Sequence, residues 1–313
     1  MLFSVIIPVY NTGEDLRRSL DSILVQKGNF YDYEVVVVND GSYDQDTLSI
    51  LAEYDSRYDN MKLIHQENGG GVAARRRGID ESQGRYITFI DSDDEVTSDY
   101  MQTLHDMVQE QADIYIFNNY LVNQGQNTKI EKVDCPHGGD KTEYVLRRLF
   151  KATMNAVWDK IYYRDVFIPV KNSLPESIMF GDDMYMNFQY ISLRKIQKAV
   201  VVEKPIYYHY VGTGKSVSDS KSTIKRIADT KICLMALEQA AQHYSEINLL
   251  ENCKDFCYGY MVRHLRNISK QGDGVILKSN PECDFSAVKI FKATGLKGFC
   301  YRLALKSGCY KWV

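Results

Sequence analysis

Short apolar runs alternate with amphipathic stretches through the amino-terminal third of the chain. Val5-Ile6-Ile7-Pro8-Val9 has the length and composition of a buried strand, and Leu16, Leu20, Ile23 and Leu24 recur on one face of a helix over residues 15–25. Glu34-Val35-Val36-Val37-Val38 is an unbroken β-branched run, the pattern of a strand covered on both faces. The same logic predicts a helix over 47–58, a strand over 61–65, a helix over 72–82 stopped near Gly84, and the strand Tyr86-Ile87-Thr88-Phe89-Ile90. Strands that alternate with helices imply right-handed βαβ crossovers, hence an α/β fold with a doubly wound, mostly parallel, Rossmann-like sheet. Ligands of such sheets bind beyond the carboxyl ends of the strands. Here those ends carry Tyr10-Asn11, Asp40-Gly41-Ser42 and Asp91-Ser92-Asp93, three polar loops expected at one edge.

Further along, a strand over 113–120, a loop or edge hairpin over 123–140 and a helix over 142–151 are expected, then a mixed region to about residue 210. From residue 223 the pattern turns helical, with Ile224, Ile227, Ala228, Ile232, Met235 and Ala236 in one apolar stripe. The chain is therefore divided into a catalytic domain over 1–219 and a helical carboxyl-terminal region over 220–313. The segment 289–313 interleaves Lys289, Lys292, Lys297, Arg302, Lys306 and Lys311 with Phe291, Phe299, Tyr301 and Trp312 and has no acid. It is either a basic amphipathic tail for an anionic membrane surface or a packed helix with a solvated basic face.

Composition narrows the class. A chain of 313 residues holds one large domain and a smaller appendage, and 44% hydrophobic with 25% charged residues excludes wholesale disorder. A net charge of -3 argues against a nucleic-acid partner. The 23 tyrosines either pack at the core margin or line a sugar cleft. Seven cysteines without a CxxC pair suit reduced thiols in a cytoplasmic protein. The amino terminus reads as a strand, not a leader, and no run approaches the roughly 20 apolar residues of a membrane span. The expected location is cytoplasmic, with contact at the inner face of the membrane if the tail binds lipid.

Asp91 and Asp93, two apart in an extended segment, project to one side. Hard carboxylate oxygens suit Mn²⁺ or Mg²⁺, which bridges a diphosphate; the alternative is a solvated acidic turn that caps a helix starting near residue 97. Asp40-Gly41-Ser42 offers a tight turn and a carboxylate to a base or ribose edge, or is an ordinary turn.

Taken in order, Val5-Ile6-Ile7-Pro8-Val9-Tyr10-Asn11, Val37-Val38-Asn39-Asp40-Gly41-Ser42, Gln66-Glu67-Asn68-Gly69-Gly70 running into Ala74-Arg75, and Phe89-Ile90-Asp91-Ser92-Asp93-Asp94 closely resemble glycosyltransferase family two, of the bacterial cell-surface polysaccharide type. The resemblance covers about residues 3–218 and implies the GT-A fold. It implies that Pro8, Tyr10 and Asp40 line the nucleobase pocket, with Asp40 taking a base N–H. Arg75 contacts the nucleotide or organises its pocket, Asp91 holds the ribose or a metal-bound water, Ser92 serves the nucleotide side, and Asp93 ligates the metal. Arg76, followed by Arg77, stands where the family usually has Asn, and Val72 where Ser is common.

Gly181-Asp182-Asp183, before an expected helix over 184–192, is similar to the family's acidic pair. Asp182 then borders the acceptor and Asp183 is the general base that inversion requires; otherwise both acids cap the helix. Trp158-Asp159-Lys160 with Tyr162 and Tyr163 resembles the segment beside the acceptor site, or holds a core tryptophan. Tyr207-Tyr208-His209-Tyr210 leads into Val211-Gly212-Thr213-Gly214-Lys215-Ser216, where related enzymes have a loop that closes over the diphosphate. Lys215 and Ser216 would hold its oxygens, and His209 is a third metal ligand or a packed ring. The Walker spacing of a P-loop is missing.

The expectation is a metal-dependent, inverting hexosyl- or N-acetylhexosaminyl-transferase with Mn²⁺ or Mg²⁺. Its donor is a UDP-sugar and its acceptor a cell-surface polysaccharide, a teichoic-acid-like polymer or a glycolipid. A nucleotidyltransferase would need a glycine-rich, lysine-containing loop after the first strand, which Tyr10-Asn11-Thr12-Gly13-Glu14 does not supply. Asp93 together with Asp183 counts against a non-catalytic nucleotide- or glycan-binding protein.

Overall fold

The computed structural model describes residues 1–26, 32–123, 126–131, 140–150, 153–168, 178, 181–211 and 223–244. These fall into two compact units. The first is drawn from Met1–Tyr144, Ala156–Ser177 and Ile196–Ser216, the second from Val145–Asn155, Ile178–Lys195 and Val217–Val313.

The first unit opens with β1 (Phe3–Val9), α1 (Asp15–Leu24), β2 (Tyr33–Asp40), α2 (Gln45–Asp55), β3 (Met61–Gln66), α3 (Gly71–Glu81) and β4 (Tyr86–Phe89). β1 lies between β2 and β4, with Val5 opposite both Val35 and Thr88, and β3 flanks β2; all three pairings are parallel. All eight residues of β2 are buried. That explains its lack of alternation: side chains on both faces meet helices. On one face Val5, Ile7, Val35 and Val37 share a core with Leu16, Leu20 and Ile23 of α1 and Ile50 and Leu51 of α2. On the other, α3 packs against β1 and β2. Gly78 makes that approach possible, since a Cβ there would stand 2.3 Å from Ile6 Cγ2. Each such apolar side chain, fully buried, contributes about 1.5–3 kcal/mol.

The remaining elements are β5 (Glu95–Val96), α4 (Tyr100–Val108), β6 (Ile114–Asn123), β7 (Gln126–Glu131), α5 (Thr142–Phe150), β8 (Lys160–Tyr163), α6 (Arg164–Phe167), α7 (Asp182–Leu193), β9 (Ala199–Val211) and α8 (Thr223–Gln242). The strand order is β3-β2-β1-β4-β8-β6-β9-β5, with β7 paired to β6. β8 is antiparallel to β4 and β6, β9 is parallel to β6, and β5 is antiparallel to β9. The expected α/β sheet is thus present, with its parallel half first and a mixed half after it. The expected edge hairpin is β6–β7, an antiparallel pair.

Two expectations are corrected. No helix starts near residue 97. Glu95 and Val96 instead pair with Tyr208 and Tyr207, the Thr97 N–H donates to the Ile206 carbonyl, and the helix begins at Tyr100. Strand pairing has taken the backbone groups that a first helical turn would need. In the second unit, α8 does not bury its stripe through Met235, which is 56% exposed; the buried face runs through Cys233, Ala236, Leu237 and Ala240. On that face Cys233 donates to the Gly181 carbonyl at the start of α7. For Ile224, Ile227 and Ala228 of the stripe the structure describes the helical backbone and not the side chains, and the basic segment 289–313 lies outside the described residues. Among the described residues no helix is long and apolar enough to cross a membrane.

Candidate functional site

The ends of β1, β2 and β4 are tied to one another by side chains. Pro8 is half-buried in β1, and Tyr10 just beyond it is 46% exposed, with its ring edge-on to Tyr43 at 6.2 Å. Asn11, in the left-handed region at φ 49, accepts the Tyr43 and Asp44 N–H groups at 2.9 and 3.0 Å. Its own N–H donates to Ser42 Oγ at 3.0 Å. Gly41 has φ +73, and a Cβ there would meet the Asn68 nitrogen at 2.8 Å, so the turn after β2 admits no side chain.

Asp40 is buried. Its Oδ1 accepts from Gln66 Nε2 at 2.7 Å and from the Gly69 N–H at 2.8 Å, and its Oδ2 accepts from the Gly70 N–H at 2.8 Å. The residue expected to meet a base N–H therefore anchors the loop that launches α3. One turn into that helix stands Arg75, 7% exposed, whose Nη2 donates to Asp91 Oδ1 at 3.1 Å. Asp40, Arg75 and Asp91 form one chain of dependence: the loop fixes the helix, and the helix fixes the guanidinium that grips the acid.

Ser92 hydrogen-bonds Thr12 through the two hydroxyls at 2.7 Å, which joins the turn after β4 to the loop after β1. Asp93 is half-buried; its carbonyl accepts from Arg18 Nη2 at 2.5 Å, and the Arg18 guanidinium lies over the Tyr210 ring at 3.9 Å. Burial pushes the Asp93 pKa up to about 6, and the charges of Asp94 and Asp91 add to the shift. Burial also raises Asp91, against the opposing charge of Arg75. Carboxylates crowded this way favour a divalent cation, which would relieve the repulsion.

His209 on β9 meets this turn. Its Nδ1 lies 3.1 Å from Asp94 Oδ2, and the charges of Asp94, Asp91 and Asp93 all act on it. Burial works to lower the imidazole pKa, but the Asp94 hydrogen bond and those charges outweigh it and raise the pKa. Among the described residues no three His, Cys, Asp or Glu side chains are grouped to hold an ion unaided. The set still fits Mn²⁺ or Mg²⁺, which such sites hold through one or two protein ligands plus substrate phosphate and water.

Trp158 is 9% exposed and stacks on Tyr207 at 4.5 Å and on His209 at 4.9 Å, both near-parallel. The indole is part of the core, so it backs the His209 strand. Beside it, fully buried Lys160 pairs with Asp159 at 2.5 Å. Asp182 and Asp183 open α7 in the second unit, after Gly181 at φ +76; the Asp183 carbonyl accepts from Asn187 Nδ2 at 2.9 Å. Lys215 and Ser216 lie outside the described residues.

Sequence reasoning assigned no role to Asp94, Tyr207 or Arg18. Asp94 stood in the quoted motif, but its partners on β9 come more than a hundred residues later, and only the fold brings them together.

Residues 4–170 match the model of glycosyl transferase family 2. The chain belongs to that family. Among its relatives, the glycosyltransferase GlyA of Streptococcus pneumoniae serotype 4 is 32% identical over 67% of this chain, and this chain spans 31% of GlyA's length. The putative glycosyltransferase EpsH of Bacillus subtilis is 27% identical over 83% of this chain and 74% of its own. Residues 1–349 of Staphylococcus aureus TarS, solved in complex with UDP-GlcNAc, match with a TM-score of 0.72 at 19% identity, over 99% of this chain and 88% of that one. Identity so low speaks for the fold alone, and the fold is the GT-A fold that the motifs implied.

Proposed function

We propose that this family 2 protein is a metal-dependent, inverting glycosyltransferase that moves a hexosyl or N-acetylhexosaminyl group from a UDP-sugar to a cell-surface polysaccharide, a teichoic-acid-like polymer or a glycolipid. One observation carries the reading: at the carboxyl ends of the strands Asp40 holds the loop that launches α3, Arg75 on α3 holds Asp91, and hydrogen bonds through Tyr207 join Asp91 to Asp94, on which His209 rests. UDP-GlcNAc bound to TarS, a protein of the same fold, supports the choice of donor. The working site is the cytoplasm or the inner face of the membrane, with the tail as the membrane contact.

Each group then has a task. Tyr10, Pro8 and the Asp40-anchored loop border the nucleobase, and Arg75 and Asp91 hold the nucleotide side. Asp93 and His209 would hold Mn²⁺ or Mg²⁺, which neutralises charge on the departing diphosphate when bound. Asp183, on its likeness to the family's acidic pair, takes the proton of the acceptor hydroxyl as that oxygen attacks the anomeric carbon. The bond from the anomeric carbon to the β-phosphate oxygen breaks, and its electron pair leaves with UDP.

The test is a panel of nucleotide sugars with and without Mn²⁺ or Mg²⁺, scored by thermal stabilisation and nucleoside-diphosphate release. Binding to the native state alone raises its stability by mass action, so a slow enzyme still gives a signal. A metal-dependent shift with release for one UDP-sugar is expected. A shift without release on any acceptor would point to a binding protein, and no shift with any nucleotide would overturn the reading.

A further inference from the structure

Asp94 is 1% exposed, yet three donors from one strand converge on its carboxylate. The Tyr207 hydroxyl donates to Oδ2 at 2.7 Å, His209 Nδ1 lies 3.1 Å from the same oxygen, and the Tyr210 N–H donates to Oδ1 at 2.8 Å. The Tyr207 oxygen in turn accepts the Asp91 N–H at 3.1 Å, and the Asp94 N–H closes the turn on the Asp91 carbonyl at 3.0 Å. Trp158 lies flat against both Tyr207 and His209, which limits rotation of either ring. A carboxylate only accepts, so the imidazole nitrogen facing it carries the hydrogen and the neutral ring keeps its lone pair on Nε2.

We propose that Asp94 is the positioning residue of this centre: it fixes His209 in the tautomer whose Nε2 is the ligand nitrogen, and through Tyr207 it fixes the backbone of Asp91. Metal-binding imidazoles are commonly oriented this way by a carboxylate on the second nitrogen. The inference rests on the metal-dependent reading above. It also explains why an acid is needed at this position. An amide has one oxygen for donors that arrive from two sides. With that oxygen toward Tyr207 and His209, its NH2 opposes the Tyr210 N–H. Turned around, its NH2 faces His209 Nδ1, which must then accept, and the ring hydrogen moves to Nε2.

The experiment is nitrogen-15 NMR of the His209 ring in the metal-free protein, on the alkaline side where the ring is neutral, combined with Mn²⁺ titration in the presence of UDP. The native ring is expected to hold its hydrogen on Nδ1. Asp94→Asn should move it toward Nε2 and weaken Mn²⁺ binding by about 10–100-fold. In a His209→Ala background the same substitution should change Mn²⁺ affinity by less than about threefold, because only the lesser route through Tyr207 and the Asp91 backbone remains. Tyr207→Phe keeps the ring against Trp158 and should leave the tautomer unchanged, with a smaller loss of affinity. A native neutral ring with its hydrogen on Nε2, or an equal loss from Asp94→Asn in both backgrounds, would overturn the proposal. If Asp94→Asn does not fold, the native tautomer and Tyr207→Phe decide the matter. A native protein that binds no Mn²⁺ with UDP would instead sink the metal-dependent reading, and the NMR result would still say whether Asp94 sets the ring.

Discussion

The parallel half of the sheet and the mixed half build the site in different ways. In the parallel half, β1, β2 and β4 deliver Tyr10, Asp40 and Asp91 at their ends, and their side chains meet partners from the same run of βα units: Tyr43 after β2, Gln66, Gly69 and Gly70 at and after β3, and Arg75 on α3. In the mixed half, β9 arrives beside β6 and sends Tyr207, His209 and Tyr210 onto an acid more than a hundred residues earlier. The first arrangement is closed within neighbouring βα units, over about 16–30 residues of chain, and the second by pairing with a strand more than a hundred residues away. The two halves should therefore fail differently when altered: the first through the fold of a loop, the second through the chemistry of a centre.

The largest effect is expected outside both. Removal of a general base lowers rate by about 10²–10⁴-fold. Asp183→Asn should lower kcat by that amount and leave the donor dissociation constant, measured by calorimetry, near its native value. Full transferase activity in this variant would remove Asp183 from the mechanism. Next comes the turn from β4 to β5, where the two halves meet. Asp93→Ala should reduce kcat/KM by about 10²–10³-fold, as expected for loss of a group that stabilises developing charge. It should also abolish the Mn²⁺ dependence of UDP binding, and metal-dependent binding that persists would mean that Asp93 is not a ligand.

The parallel half is expected to show itself first as stability. Arg75→Met strips Asp91 of its buried cation. Breaking a fully buried pair costs about 3–5 kcal/mol, and the loss here should be smaller because the Asp91 side chain is 29% exposed. Urea denaturation would read it, and an unchanged midpoint would mean the pair is worth nothing to the fold. Gly78→Ala should cost about 1–3 kcal/mol by forcing α3 off Ile6, with kcat unaffected in whatever fraction remains folded. A stability loss from Gly78→Ala accompanied by loss of donor binding would show that the α3 approach, and not Arg75 alone, sets the pocket.

This difference between the halves also governs what could be read from the sequence. β1 and β2 announce themselves because both faces are covered and no polar residue interrupts them, and their carboxyl ends follow from topology alone. Asp40 was legible as a strand-end acid but not as the anchor of residues 66–70, because a hydrogen bond between loops leaves no periodic trace. Asp-Ser-Asp-Asp looks like a cap and puts the start of α4 too early, whereas Glu95 and Val96 are claimed by β9. Spacing alone puts Met235 in a helical stripe, but α8 buries the face that carries Cys233, Ala236, Leu237 and Ala240. Trp158 could be read as a sugar platform or as core; its stacking on Tyr207 and His209 resolves that in favour of packing. In each case the missing information was which distant segment lies opposite.

The smallest expected effect bears on the one expected nucleobase contact that the structure leaves open to solvent. Tyr10 is 46% exposed and touches Tyr43, itself 75% exposed, edge to face. Neither ring contributes to the core, so Tyr10→Ala should shift stability by no more than about 0.5 kcal/mol. If the ring stacks on a base, its removal should weaken UDP binding by about 1 kcal/mol, roughly fivefold, the lower end of what an aromatic platform gives a base. Tyr10→Phe should restore it, since the face and not the hydroxyl would do the binding. Equal UDP affinity for Tyr10→Ala and the native protein would move the nucleobase away from the end of β1. The parallel half would then supply the scaffold of the pocket, through Asp40 and Arg75, without supplying its wall.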